Sequence, residues 1–158
     1  MKKINLINPN NKKKIYLIKN KLTDDEGNIF PLINEIPRIN FSQSYTDNFG
    51  FQWEKFAETQ LLRESYIDKQ DINSLRLFAE TNWKKPELEN INILEAGSGA
   101  GKFSKVILDE TKANLYSFDS SSAVNSNKKN NKLYFNNRLY LSQADIENIP
   151  YDDSVFDK

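Results

Sequence analysis

Ile93-Leu94-Glu95-Ala96-Gly97-Ser98-Gly99-Ala100-Gly101-Lys102-Phe103 reads as a strand that runs directly into a glycine loop and then into a helix. Gly97, Gly99 and Gly101 let the backbone turn tightly and let a ligand approach where a Cβ would collide. Outward from this stretch the pattern alternates. The spacing predicts strand over 91–94, helix over 102–110, strand over 114–118, helix over 121–129 and strand over 138–142. Such alternation implies parallel strands joined by right-handed crossovers, an α/β fold with a doubly wound sheet. The polar connector over 128–137, rich in Asn and Lys, reads as a solvated loop.

Upstream the character changes. The runs 2–7 and 13–18 are rich in β-branched residues and are separated by Asn8-Pro9-Asn10-Asn11, which predicts a hairpin. Pro31 and Pro37 break two further short apolar runs, as suits edges and turns. From Phe51 the apolar residues fall at helical spacing, predicting a helix over 53–65. Asp71 can cap a second helix with an apolar face of Ile72, Leu75, Leu77, Phe78 and Trp83, ending before Lys84-Lys85-Pro86. The organisation is therefore a small extended β unit over 1–50, a helical lead-in over 51–85 and the α/β segment over 86–158. The β unit reads as a packing element rather than a lid.

Composition removes several chemistries. The 158 residues contain neither cysteine nor histidine, which excludes disulfides, thiolate-held zinc and Ser-His-Asp or Cys-His catalysis within this chain. No metal site is expected. Lys and Arg number 22 and so do Asp and Glu, so no global field favours nucleic acid or an anionic membrane. The amino terminus breaks at Asn8-Pro9 before a signal-length apolar run forms, and the expected location is the cytoplasm.

The chemistry lies at the strand ends. Glu95 closes the first strand, Asp119 the second, and Asp145 follows the third, where open α/β sheets bind ligands. An acid in the position of Asp119 accepts hydrogen bonds from ribose hydroxyls. The dinucleotide pattern Gly-x-Gly-x-x-Gly would need glycine at position 102, and this chain has Lys102 there with Gly101 one residue earlier. S-adenosylmethionine carries a cationic sulfonium and no phosphate, and suits a loop of carbonyls beside an acid better than a pyrophosphate does.

Glu95-Ala-Gly-Ser-Gly-Ala-Gly101, the strand ending Phe118-Asp119, and Ala144-Asp145-Ile-Glu-Asn-Ile-Pro-Tyr-Asp-Asp-Ser-Val-Phe-Asp157 together resemble three successive motifs of class I S-adenosylmethionine-dependent methyltransferases. The resemblance implies a Rossmann-like sheet, incomplete here, with the first three strands and, at Val155-Phe156, the start of the fourth. It also implies a cofactor set of Glu95, Gly97, Ser98, Gly99, Gly101, Asp119, Ser120, Asp145 and Ile146. The glycine loop and Glu95 would hold the methionine part, Asp119 the ribose, and Asp145 with the Ile146 amide the adenine. Lys102 stands where many relatives have arginine, which bears on packing.

Ile36-Pro37-Arg38-Ile39 and Asn48-Phe49-Gly50-Phe51-Gln52-Trp53 are similar to a leader in some bacterial members, whose extended unit can be a zinc ribbon. Without cysteines that unit would be held by packing alone. Trp53 reads as core, and Gln52 as a candidate for the methionine end. The expected function is methyl transfer to an unidentified acceptor, with this chain carrying the cofactor-binding half and inactive alone. The alternative is a truncated binding or interaction module without turnover. No catalytic base is named by these residues. No nucleic acid or membrane partner is expected, and an open edge of the first sheet strand would favour self-association.

Overall fold

The computed structural model describes residues 5–39, 66–67 and 70–158. The helix expected over 53–65, and with it Gln52 and Trp53, lies outside these residues. At the centre stand three parallel strands, β8 (Asn92–Ala96), β9 (Asn114–Asp119) and β10 (Leu139–Gln143), in the order β10-β9-β8. Helix α2 (Lys102–Glu110) follows β8, and α3 (Val124–Asn130) follows β9. The fold is α/β with a Rossmann-like parallel sheet.

Strand parity divides the core into two layers. Ile93, Leu115, Leu139 and Leu141 face the helices and pack with Val106, Ile107 and Leu108 of α2 and Val124 of α3. Tyr116 and Phe118 face the other way, against Ile15, Leu22, Phe30 and Ile39 of the amino-terminal β unit. The sheet is thus covered by helices on one face and by the β unit on the other. Asp71 accepts from the Asn73 amide and caps α1 (Ile72–Thr81) as the sequence predicts. Leu77 is buried on that helix, whereas Leu75 is half exposed, and Trp83 packs from beyond the helix end. Asn82, at φ 55, turns the chain out before Pro86 enters a short 3-10 turn over Lys85–Leu88.

The β unit contains β1 (Ile15–Ile18), β2 (Lys21–Asp24), β3 (Ile29–Phe30), β4 (Leu32–Ile33) and β5 (Ile36–Pro37). A further two-residue pair, β6 (Tyr66–Ile67) and β7 (Gln70–Asp71), precedes α1. The expected pairing of the first two runs shrinks to a bridge between Ile7 and Lys14. Strand β1 pairs along its length with β2 instead, through a two-residue turn at Lys19 and Asn20, both at positive φ (46 and 63). Asn34 and Glu35 make the same kind of turn between β4 and β5, with φ 52 and 61. Both turns match the twist of a tight hairpin without glycine.

Packing alone does not hold the unit. The Asp24 carboxylate, 4% exposed, accepts from the side-chain amides of Asn8 (2.7 Å), Asn11 (3.0 Å) and Asn28 (2.9 Å), and from the backbone amides of Glu26 and Asn28. Burial alone would raise its pKa. The amide hydrogen bonds outweigh that and hold the carboxyl below the usual carboxylate range. One ionised group therefore cross-links two turns, over 8–11 and 24–28.

The connector over 128–137 is also more than a solvated loop. Asn131 is 2% exposed and donates to the Gly101 carbonyl, while Tyr134 and Phe135 pack against the helix-side core. Beyond β8, Asp157 N donates to Asn92 O and Leu94 N to Lys158 O, so 157–158 run beside β8 in its own direction. The pairing expected at Val155 and Phe156 is made by Asp157 and Lys158 instead. Those two side chains join the aromatic layer instead, with Phe156 5.4 Å from Tyr116 and 5.1 Å from Tyr151 between ring centroids.

Candidate functional site

Where β8 ends, Gly97 N and Ser98 N both donate to Phe118 O (2.9 and 3.1 Å), so the glycine loop is pinned to the end of β9. Gly97, Gly99 and Gly101 all have positive φ (76, 51 and 81), a region that side chains disfavour. Their surroundings differ. A Cβ on Gly97 would meet nothing within 4 Å, whereas one on Gly101 would lie 2.2 Å from Asn127 Oδ1 and 2.3 Å from Asn127 Cγ. Open space beside the loop belongs to Gly97. The bare backbone of Gly101 instead admits α3.

Glu95 shares strand parity with Ile93, which turns its side chain to the helix side. There Oε2 accepts from Ser104 Oγ of α2 (2.5 Å) and Ser117 Oγ of β9 (2.8 Å). Asn127 Nδ2 donates in turn to Ser104 Oγ (2.9 Å). Burial pushes the Glu95 pKa up, more than these hydroxyl bonds draw it down, and the charge of Asp119 adds to the rise. The carboxylate, which also accepts from the Ser104 backbone amide, anchors loop, helix and sheet.

Asp119 sits between the loop and the start of α3. Oδ2 accepts from Gly99 N (2.8 Å), and Oδ1 accepts from Ser121 N (2.9 Å) and Ser121 Oγ (2.7 Å). A carboxylate offers about four acceptor sites, and the described residues fill three of them, leaving one. Ala144 N donates to Asp119 O at 3.1 Å, bringing the end of β10 alongside. Asp145 caps the following turn by accepting from Glu147 N (3.0 Å), and Ile146 beside it is 64% exposed. Ser98 Oγ is buried without a partner, and Ser120 is exposed with its carbonyl taken by Gln143. The nine residues singled out from sequence thus line three adjacent strand ends, with Gly101 and one oxygen of Glu95 turned into the packing behind them.

Three supports of this arrangement carry no role in the sequence reading: Ser104, Ser117 and Asn127. They are small polar residues at helix or strand positions, indistinguishable in sequence from solvent-facing ones. Only the parity of Ser117 with the buried Leu115 hints at its interior place.

Residues 94–158 match the family described as the methyltransferase domain. A solved structure from Methanococcus maripaludis, assigned as an S-adenosyl-L-methionine-dependent methyltransferase, is similar at 17% identity and a TM-score of 0.52. The similarity covers 75% of this chain and 51% of that one, so the chain spans about half the length of this relative. A second is the Haemonchus contortus phosphoethanolamine N-methyltransferase 1, solved with phosphoethanolamine and S-adenosylhomocysteine. It is 21% identical with a TM-score of 0.40, over 62% of this chain and 21% of that one. No curated protein matches the chain. The first likeness shows a shared α/β fold. Among the described residues there is no group of three or more potential metal-ligating side chains, and no helix is long and apolar enough to cross a membrane.

Proposed function

We propose that the chain binds S-adenosylmethionine across the carboxyl ends of β8, β9 and β10, and serves as the cofactor-holding part of an enzyme that methylates an acceptor. When bound, this cofactor supplies a methyl group activated on a sulfonium. The observation that carries the reading is the pairing of open space at Gly97 with an acid, Asp119, that fixes Gly99 and keeps one acceptor position unfilled. That position suits a ribose hydroxyl. The Glu95 carboxylate and the loop carbonyls suit an ammonium group. The exposed Ile146 offers an apolar surface and a backbone donor to a purine, with Asp145 beside it to accept from an exocyclic amine. Transfer itself asks mainly for positioning when the acceptor is already nucleophilic.

The test is calorimetric titration with S-adenosylhomocysteine and, separately, with nicotinamide dinucleotide. The first should bind saturably and the second should not. Asp119→Ala should weaken binding by about 1–3 kcal/mol, the usual magnitude for hydrogen bonds to a charged group. Unchanged affinity in that variant would remove Asp119 from the site.

A further inference from the structure

The amino-terminal β unit reaches the proposed site through one side chain. Arg38 follows β5 and lies beside Gln143, the last residue of β10, in a parallel bridge, with Ile39 N donating to Gln143 O at 2.8 Å. Arg38 is 4% exposed. Nη1 donates to Gln143 Oε1 (2.9 Å), and Nη2 donates to Asn125 Oδ1 (2.9 Å) and to Ile33 O (3.4 Å). Gln143 passes the contact on, its Nε2 donating to Ser120 O at 2.7 Å. Arg38 therefore holds the segment over 120–125 at both ends, once through Gln143 and once through Asn125. That segment begins next to Asp119, and its Ser121 supplies two of the three bonds that orient the Asp119 carboxylate.

A buried cation is expensive unless an anion pairs with it, and all three acceptors of Arg38 are neutral. Nε is buried without any partner, and burial lowers the pKa of the group. An apolar side chain would staple the β unit to the sheet at less expense. What it could not do is reach in two directions with fixed geometry, which the planar fork of arginine does.

We propose that Arg38 and Gln143 are positioning residues for the ribose and adenine side of the cofactor site. Arg38 sets the loop over 120–125, and through it Asp119, while Gln143 ties that loop to the strand end bearing Asp145. The inference rests on the functional reading above for its ligand, though not for its geometry. It gives the β unit a part in cofactor binding without contact to the cofactor.

Gln143→Glu separates positioning from stability. The carboxylate still accepts from Arg38, now as a charged partner, so the β unit stays docked and thermal stability holds or rises. It no longer donates to Ser120 O. In the ligand-free chain, amide hydrogen exchange at Gly99 and Ser121 should quicken several-fold in Gln143→Glu and in Arg38→Met. Affinity for S-adenosylhomocysteine and for adenosine should fall by the same factor, on the order of 10-fold for loss of an ordering hydrogen bond. Arg38→Lys should recover part of the loss. Unchanged exchange at Gly99 and Ser121 in a folded Gln143→Glu chain would overturn the inference whatever the ligand. So would an affinity that merely tracks thermal stability across the three variants. If the unsubstituted chain binds no S-adenosylhomocysteine, the functional reading fails, and the exchange data still decide the positioning.

Discussion

The two faces of the central sheet are covered by units that cohere in different ways. On the helix side, fully buried Ile93, Leu108, Leu115, Val124 and Leu139 interlock between strands and helices, and stability comes from apolar area removed from water. On the other side, the β unit has strands of two to four residues, several exposed apolar side chains such as Leu17, Ile18 and Ile29, and turns joined by the buried Asp24 carboxylate, with Glu26 accepting one further bond from Asn11. The first kind of cohesion is indifferent to pH; the second depends on a proton staying off Asp24. A fold can therefore keep its ligand-bearing loops on the robust layer and attach an adjustable one behind them.

Breaking the sheet that both layers share should have the largest effect. Phe118→Ala, on the sheet face that the β unit covers, should reduce unfolding free energy by about 3–5 kcal/mol, read from denaturant titration. Loss of the helix side and the β unit in one transition is expected, since Phe118 belongs to the sheet that both cover. Next come the loop glycines, which contrast directly. Gly101→Ala adds a collision with Asn127 to the strain of its positive φ, and should destabilise by roughly 1–3 kcal/mol more than Gly97→Ala. Gly97→Ala should carry only the backbone strain, about 1–2 kcal/mol, and should reveal itself in weakened S-adenosylhomocysteine binding. Asn127→Ala in the Gly101→Ala background should return part of the stability.

Acid sharpens the contrast between the two layers. The folded pKa of Asp24 is depressed, so its contribution is fully present above its unfolded value near 3.9 and is lost as pH falls further, toward the folded pKa. Glu95 has a raised folded pKa, so its ionised form is the disfavoured one and protonation of it adds stability as pH falls. Below about pH 4 the amides over 8–28 should exchange faster while those over 92–119 stay protected, as read by hydrogen exchange. Asp24→Asn should show the β-unit loss at neutral pH already. Uniform acid opening of both regions would contradict the division.

What sequence could reveal followed the same division. The α/β segment announces itself because strand and helix periods alternate over a long stretch, and the predicted helix over 102–110 coincides with α2. The strand-end acids were legible as candidates because open α/β sheets bind ligands beyond the carboxyl ends of their strands. The β unit was read less well. Its turns at Lys19-Asn20 and Asn34-Glu35 use positive φ without glycine, a choice made by the twist of the paired strands rather than by the turn residues. Asp24 looked like one acid in a polar turn, since hydrogen bonds over 13 and 16 residues leave no periodic trace. Arg38, beside Pro37, and Gln143, just past the third predicted strand, carry no local signal of each other, since their contact spans 105 residues.

The most direct test of the site is a hydrogen-exchange map of the chain with and without S-adenosylhomocysteine at saturating concentration. The account predicts slowed exchange at 97–101, 119–121 and 145–146, with the hairpins of the β unit over 15–33 unchanged. Protection centred instead on the cleft of about 420 Å³ beneath the β unit, lined by Leu17, Leu32, Tyr116, Tyr140 and Tyr151, would contradict it.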